Sequence, residues 1–271
     1  MFERLKQRYH YSIILLRQLV ITDFKLRYQG SVLGYLWTLL KPLALFAILY
    51  VVFVRFLRFG ADEPHFAVSL LFGIVLWNYF TEVTLGGVAS IVSKGDLMRK
   101  LYFPRYVIVV AGSLSALINL LLNLVVVAFF MVLDGVVIGW TAPFAIIPII
   151  EIFITALSLS FLLSALYVKF RDVNYIWEVV LQAAFYATPI IYPLSMVIPV
   201  STLAVQIMLL NPIAQALQDA RALLIDPNTI TIADAFGTSL ARLIPISVVL
   251  CLTAMSIWYF RRESPNFAEN V

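Results

Sequence analysis

The chain has 271 residues, of which 62% are hydrophobic and 13% are charged. Soluble domains carry about 25% charged residues, so this composition, with a mean hydropathy of +0.97, excludes a soluble domain and a disordered chain. The single cysteine, Cys251, excludes a disulfide scaffold, and basic residues scattered between apolar stretches disfavour a nucleic-acid partner. The sequence therefore predicts an all-α protein that crosses a lipid bilayer several times.

The predicted elements begin with a basic, aromatic helix over residues 1–30. Its uninterrupted apolar run is too short to cross a bilayer, so we predict that it lies in the membrane interface on the cytoplasmic side. A tilted or partly inserted helix is the alternative. Six apolar stretches near the roughly 20 residues of a membrane span follow. The predicted spans are 32–54, 66–90, 106–133, 142–168, 176–193 and 239–260.

The segment 194–238, before the last span, is long but still apolar. Its two apolar pieces, 203–210 and 213–224, are each too short to span and are separated by Asn211-Pro212, where proline disfavours a continuous helix. We therefore predict a re-entrant helical hairpin on the outer side, with a folded extracellular loop as the alternative. The sequence shows no internal repeat or linker, which predicts a single membrane domain over residues 31–271.

The loop charges orient the predicted spans. If the N-terminus, the loops 91–105 and 169–175 and the C-terminus share one side, that side holds 14 basic and six acidic residues. The opposite side holds three basic and six acidic residues. An excess of lysine and arginine marks the cytoplasmic face, so both termini are predicted to be cytoplasmic, in agreement with six spans.

The sequence offers little of the chemistry that catalysis needs. It lacks the G-x-x-x-x-G-K-[ST] phosphate loop, so no ATP site of that kind is predicted in this chain. Its two histidines, His10 and His65, are far apart, which predicts no metal site. The absence of a clustered acid, base or metal ligand lowers the prospect of an enzyme without excluding one.

Five charged residues lie within the predicted spans, where burial in lipid is unfavourable. Glu178 and Arg242 are near span ends, so we expect them to extend toward the interface. Lys41 would meet an anionic head group or extend toward the interface. Glu82 and Glu151 would pair with a basic residue or face a water-filled path.

The loop 91–105 is short, basic and predicted to be cytoplasmic. A helical turn is expected over Asp96–Tyr102, ended by Pro104. Leu97, Leu101 and Phe103 would give this helix an apolar side that docks in a groove of a soluble partner. An ordinary basic cytoplasmic loop is the alternative.

Aromatic residues make up 14% of the chain, and many of them fit the interfacial belts of membrane proteins. Others are candidates to line a pore or a gate, because an aromatic face packs on a sugar while allowing it to slide; ordinary packing is the alternative. These candidates are Tyr50, Phe72, Phe185, Tyr186 and Tyr192. Gly30 and Gly34 form one of the small-residue pairs that allow close helix contact.

Several of these segments, in the same order, resemble the membrane subunit of ABC-2 type polysaccharide exporters, the family of O-antigen and teichoic-acid permeases. The first stretch is closer to the O-antigen type. The matching stretches are Phe24–Pro42, the loop 94–105, Tyr167–Val173, Ala187–Pro193 and Asn211–Leu224.

The resemblance implies a homodimer of this chain with two copies of a separate ATP-binding-cassette ATPase, which would bind the ATP and Mg²⁺, while this chain holds no cofactor. The expected location is the bacterial inner membrane. ATP-driven movement would reach the chain through the loop 94–105 and, to a smaller extent, the loop 169–175. The residues implied in this coupling are Asp96, Leu97, Arg99, Lys100, Leu101, Phe103, Arg171 and Asp172.

The resemblance further implies a polysaccharide carried on undecaprenyl diphosphate as the cargo. Lys25, Arg27 and Lys41 would meet the diphosphate near the cytoplasmic entrance, and the hairpin 194–238 would gate the exit. Two other functions are kept as alternatives: an ABC-2 exporter of a small hydrophobic molecule, and a membrane-embedded enzyme that modifies a glycan or lipid. The enzyme would require an essential acid, base or metal ligand such as Glu82, Glu151 or His65.

Overall fold

The structure, a computed structural model, describes residues 2–27, 30–60, 63–100 and 103–267, all of them in helices or their connections. The longer helices are α1 (Phe2–Arg27), α2 (Leu36–Leu49), α3 (Phe66–Ser93), α4 (Gly95–Lys100), α5 (Tyr106–Leu133), α6 (Ile146–Lys169), α7 (Val173–Ala187), α8 (Thr202–Leu209), α9 (Pro212–Leu224), α10 (Ile232–Phe236) and α11 (Leu243–Glu263). A π-helical turn, Tyr50–Phe56, extends α2, and short 3₁₀ turns lie at Ala142–Ala145, Leu194–Met196, Ser239–Arg242 and Ser264–Asn266.

Five helical stretches in the described part of the chain are long and apolar enough to cross a membrane. They are Leu36–Phe56, Phe66–Ser93, Tyr106–Leu133, Ala142–Lys169 and Ser239–Asn266. They correspond to five of the six predicted spans, so the all-α membrane fold is confirmed. The predicted span 176–193 falls on α7, which has only 15 residues. Six spans therefore remain a prediction.

The early end of α7 has a local cause. Thr188 has an extended backbone conformation, with ψ of 137°, and is followed by Pro189. A residue before proline is disfavoured in the helical region, so the helix ends at Ala187. The following residues stay inside the protein, because Ile190 and Ile191 are almost completely buried.

Helix α3 is the centre of the fold and packs against α2, α5, α6, α7 and α9. Its most extensive contact is with α6, where the Ser160 hydroxyl donates a hydrogen bond of 2.6 Å to the Val83 carbonyl. Gly87 makes this approach possible, since a Cβ atom there would lie 2.2 Å from Ser160 Oγ. Gly30 and Gly34, the predicted packing pair, instead have positive φ in the connection before α2, with open space around both.

A second hydrophobic core, which we call the terminal cluster, lies where the helix ends next to the basic loops pack together. Its buried members are Ile91, Phe103, Val107, Ile108, Val109, Ala165, Val168, Phe260 and Phe267, and Leu15, Leu16 and Leu19 of α1 pack against it. The N-terminal helix, the segment with α4, the end of α6 and the C-terminal turn therefore meet at one end of the molecule. Placement of α1 in the membrane interface remains a prediction.

The segment before the last span forms two helices, as predicted, with a break at Asn211. The Asn211 side chain accepts a hydrogen bond of 3.0 Å from the Ile213 N–H, and Pro212 is the first residue of α9. A short helix, α10, follows and begins with a capping box between Thr231 and Asp234. Hydrogen bonds from the Thr231 hydroxyl and N–H hold the pKa of Asp234 below its usual value. Whether this hairpin is re-entrant remains a prediction.

Candidate functional site

The short helix α4 lies within the loop where the sequence predicts a coupling helix. The apolar residues of this loop face the protein itself: Leu97 of α4 packs against the terminal cluster, and Phe103, beyond the end of α4, is 8% exposed within it. Phe103 is therefore occupied in the chain's own core, and its docking in a partner's groove stays a prediction. Leu101 lies outside the described residues.

The outer side of α4 is charged. Asp96, Arg99 and Lys100 are exposed, as are Arg171 and Asp172 in the connection between α6 and α7. The guanidinium of Arg171 lies over the Tyr167 ring, 5.2 Å from its centre. Both charged segments leave from helix ends that contribute to the terminal cluster. They offer a polar surface on a fixed base, which suits contact with a soluble protein.

Polar contacts tie α4 and its neighbours to other elements. The Lys94 ammonium, immediately before α4, lies 2.9 Å from both carboxylate oxygens of Asp23 on α1. After α4, Arg105 donates to the Ser264 carbonyl at the C-terminal turn. These contacts join the segment around α4 to α1 and to the C-terminal turn.

A groove of about 560 Å³ lies between α1 and the turn that precedes α2. Its lining residues are Gln18, Ile21, Thr22, Lys25, Leu26, Gly34 and Tyr35. Of the three residues predicted to meet the diphosphate, Lys25 lines this groove. Lys41 is exposed on α2 and is not among the lining residues. The Arg27 side chain lies outside the described residues. Apolar walls with an exposed lysine suit an amphiphile that has an anionic head group.

The five candidate pore aromatics fall in different environments. Phe72 is fully buried in the core of the chain, so it is a packing residue. Tyr50 is half-buried, with Phe46 beside it at 5.7 Å between ring centres. Phe185 packs against Tyr186 at 5.3 Å, and the Tyr192 hydroxyl donates to the Tyr186 carbonyl at 3.0 Å. These three aromatics form one group at the end of α7, where the Tyr186 ring is 65% exposed.

Arg221 of α9 is the residue that sequence reasoning missed most clearly, because it is one of the three basic residues assigned above to loops on the outer side. It is 3% exposed and donates to three backbone carbonyls: Ser69 at 2.9 Å, Pro189 at 2.6 Å and Ile190 at 3.2 Å. It therefore satisfies the carbonyls freed where α7 ends. Gly73 leaves space for this guanidinium, since a Cβ atom there would lie 2.6 Å from Arg221 Nη2.

A different face of α9 carries a second polar contact, because Asp219 is two residues from Arg221 on the helix. Asp219 lies 3.2 Å from Arg242, and the Gln215 amide donates to Asp219 at 2.7 Å. Arg242 thus pairs with a carboxylate instead of only extending toward the interface. Glu178 is exposed and accepts from Asn174 at 2.6 Å. A Gln215–Gln218–Asp219 pattern in an apolar segment is the signal that could have indicated a buried polar face.

The two carboxylates deep in the predicted spans also have specific neighbours. Glu82 accepts a hydrogen bond of 2.7 Å from the Asn119 amide of α5. Glu151 lies beside Gln215 and near Asp219 of α9. Among the described residues, no three histidine, cysteine, aspartate or glutamate side chains come together in a way that would hold a metal ion.

Comparison with known proteins gives one family and several relatives. Residues 14–225 match the ABC-2 type transporter family. The chain is 30% identical to the O-antigen export system permease protein RfbA of Myxococcus xanthus over 275 aligned residues, covering all of both chains. It is 28% identical to the O-antigen export system permease protein RfbA of Klebsiella pneumoniae over 197 residues, which are 71% of this chain and 75% of the relative. The family match includes the groove, α4 and α9.

Proposed function

The chain belongs to the ABC-2 type transporter family, and we propose that it is the membrane permease subunit of an exporter for an O-antigen-type polysaccharide. The observation that carries this proposal is the match to an O-antigen export permease over the full length of both chains. The groove beside Lys25 supports it, because a lipid-linked glycan has an apolar tail and an anionic diphosphate.

The energy for export would come from a separate ATPase that binds ATP and Mg²⁺. Two copies of the permease would assemble with two copies of the ATPase in the bacterial inner membrane. The exposed residues of α4 and of the loop 169–175 would receive the ATPase movement, while Leu97 and Phe103 hold α4 on the terminal cluster. The Lys94–Asp23 ion pair would pass that movement to α1, which forms one wall of the groove.

The cargo in this proposal is a polysaccharide on undecaprenyl diphosphate. Lys25, with Arg27 and Lys41 nearby in the sequence, would attract the diphosphate from the cytoplasmic leaflet. Ile21 and Leu26 would contact the polyprenyl chain where it meets the head group. The aromatic group of Phe185, Tyr186 and Tyr192 would lie at the exit, beside the hairpin.

We further propose that α7 completes a sixth crossing together with residues 188–193. Fifteen helical residues extend about 22 Å, and residues 188–193, which form turns and bends, would supply the rest of the crossing. Non-helical backbone at membrane depth is tolerated only when protein covers it and its polar groups are paired. Burial of Ile190 and Ile191 and the hydrogen bonds from Arg221 meet both conditions. Both termini would then be cytoplasmic.

The test is ATP-dependent transport of a lipid-linked polysaccharide in proteoliposomes that contain the chain and the ATPase encoded beside it. Lys25→Glu should lower transport at least tenfold and leave the thermal melting temperature unchanged, because this lysine is exposed. Arg261→Glu is the matched control, since Arg261 is also exposed but lies outside the groove-lining residues and outside both proposed coupling segments.

Transport of the glycan without any ATPase would contradict the proposal. Export of a small hydrophobic molecule, with no movement of the lipid-linked glycan, would instead support an ABC-2 exporter of small hydrophobic molecules. Chemical modification of the glycan or lipid by the chain alone would support the membrane-enzyme alternative.

A further inference from the structure

Helix α2 contains an internal proline, and this removes one hydrogen bond of the helix. Pro42 has no N–H, so it cannot donate to the carbonyl four residues earlier, which is that of Thr38. Thr38 and Pro42 are the two buried residues of α2, and Thr38 is only 8% exposed. A buried carbonyl at this place needs a donor in place of the N–H that proline lacks.

Asn123 of α5 supplies a donor to this carbonyl. Its side-chain nitrogen lies 3.3 Å from the Thr38 carbonyl oxygen and 2.8 Å from the Asn119 carbonyl oxygen within α5. An amide nitrogen carries two hydrogens, so it can donate to both carbonyls at once. Reversing the amide would direct its oxygen at two acceptors, which fixes its orientation. Asn123 is 7% exposed, so water has little access to these hydrogen bonds.

Helix α5 is itself held to the centre of the fold beside this contact. Asn119 is 3% exposed, and its amide nitrogen donates to Glu82 of α3 at 2.7 Å. Asn119 and Asn123 are four residues apart and therefore lie on one face of α5. Asn123 thus reaches α2 from a helix whose position is fixed by α3.

The same contact leads to the groove between α1 and the turn before α2. Gly34 and Tyr35 of that turn line the groove. The Thr38 N–H donates to the Tyr35 carbonyl at 3.0 Å, so Thr38 joins this wall of the groove to Asn123. The opposite wall, α1, also packs against α5. Helix α5 therefore supports both walls, one of them through the Asn123 amide.

We propose that Asn123 is a positioning residue for the groove: it replaces the N–H that Pro42 lacks and so fixes the turn before α2 relative to α1. Without this donor, the Thr38 carbonyl would turn toward another partner, and the attached turn would move with it. The effect on cargo binding rests on the proposed function, because a lipid-linked diphosphate would meet a groove of variable width. The position of the turn does not depend on the cargo.

Distances between spin labels test this positioning in the full-length chain, in lipid nanodiscs without cargo or ATPase. Cys251→Ala removes the chain's one cysteine. Labels at Arg17 of α1 and at Val32 before α2 form the groove pair, because both side chains are exposed and neither lines the groove. Labels at Arg17 and at the exposed Arg261 of α11 form the control pair. Dilution with unlabelled chain confines the measurement to distances within one copy.

Asn123→Leu keeps a branched side chain but removes the donor. We expect it to broaden or shift the distance of the groove pair and to leave the control pair unchanged. Adding Pro42→Ala should restore the groove distance, because alanine brings back the N–H that donates to the Thr38 carbonyl. An unchanged groove distance in Asn123→Leu, or no restoration by Pro42→Ala, would overturn the proposal.

Thermal melting tests the exchange of donors independently. Asn123→Leu should lower the melting temperature in the natural chain and lower it much less when Pro42→Ala is present. Asn119→Leu is the matched control, because it removes another buried asparagine of α5 whose amide donates to α3; its loss should be the same in both backgrounds. Equal losses for Asn123→Leu in the two backgrounds would refute the exchange. If Asn123→Leu folds in neither background, the shorter Asn123→Ser replaces it in both measurements.

Transport in the proteoliposome assay connects the groove to the cargo. Asn123→Leu should raise the concentration of lipid-linked glycan at half-maximal transport about threefold or more, with little change in the maximal rate, and Pro42→Ala should reverse this rise. A lower maximal rate with an unchanged half-maximal concentration would show that Asn123 does not position the groove for its cargo. If the natural chain transports no glycan, the proposed function fails, and the distance and melting measurements decide the role of Asn123 by themselves.

Discussion

Single residues decide how closely the helices of this permease approach each other. Gly86 and Gly87 are adjacent on α3, but a Cβ atom at Gly87 would lie 2.2 Å from Ser160 Oγ and 3.0 Å from the Ser160 Cα, whereas a Cβ atom at Gly86 has nothing within 4 Å. The first site is blocked partly by backbone, which cannot rotate away as a flexible side chain can.

Gly87→Ala should therefore destabilise the chain by about 1–3 kcal/mol, the usual range for overpacking. Gly86→Ala should be neutral or stabilise it by up to about 1 kcal/mol, because alanine favours the helix. The melting temperatures of the two purified variants check this pair. Equal melting temperatures would show that α3 and α6 are less closely packed than this contact requires.

Arg221 shows what residue-level sequence reasoning could not provide. A basic residue between apolar pieces has the same appearance whether it lies in a loop or inside the protein. Its burial depends on carbonyl acceptors from Ser69, Pro189 and Ile190, which are far away in the sequence. Composition predicted where charges are rare, but not which distant backbone groups would satisfy them.

At the scale of elements, the sequence predicted helices well wherever lipid alone sets their length. The span 106–133 coincides with α5, and the break at Asn211 is where Pro212 predicted it. The predicted span 176–193 failed as a continuous helix because apolar composition does not distinguish lipid contact from burial. Ile190 and Ile191 are apolar because they pack inside the protein after the chain has left its helix.

The helix α4 has an anchoring side and an exposed side, and substitutions should separate them. Phe103→Ala removes a buried ring and should destabilise the chain by up to about 3–5 kcal/mol. Phe170→Ala is the matched control, because Phe170 is 52% exposed.

Lys100→Glu should leave the melting temperature unchanged and lower the ATPase stimulation at least fivefold in the assembled complex. Full stimulation in Lys100→Glu would remove this face of α4 from the proposed interface.

The ion pair between α1 and the residue before α4 should contribute modestly to stability. Its side chains are 28% exposed at Asp23 and 23% exposed at Lys94, and pairs of this kind contribute about 0.2–1 kcal/mol. Asp23→Lys and Lys94→Asp should each speed amide hydrogen exchange at the end of α1. The double variant, which carries both substitutions, should restore slow amide hydrogen exchange. A double variant that exchanges as fast as the single ones would show that the pair does not hold α1.

At the scale of the whole molecule, the number of crossings decides which surface meets the ATPase. Among the described residues, five helical stretches are long enough to span, and an odd number of crossings would put the two termini on opposite sides. The terminal cluster argues for an even number, because it joins α1, the segment with α4, the end of α6 and the C-terminal turn at one end of the protein. A crossing by α7 and residues 188–193 reconciles these observations.

Single-cysteine labelling decides between the two topologies, since Cys251 is the chain's one cysteine and Cys251→Ala gives a clean background. If α7 crosses, Val200→Cys should react with an impermeant reagent in spheroplasts and Arg262→Cys only after permeabilisation; both positions are exposed. If α7 does not cross, both results reverse. Trp140→Cys and Lys100→Cys are the controls, because they precede α7 and should report the outer and inner sides in either case.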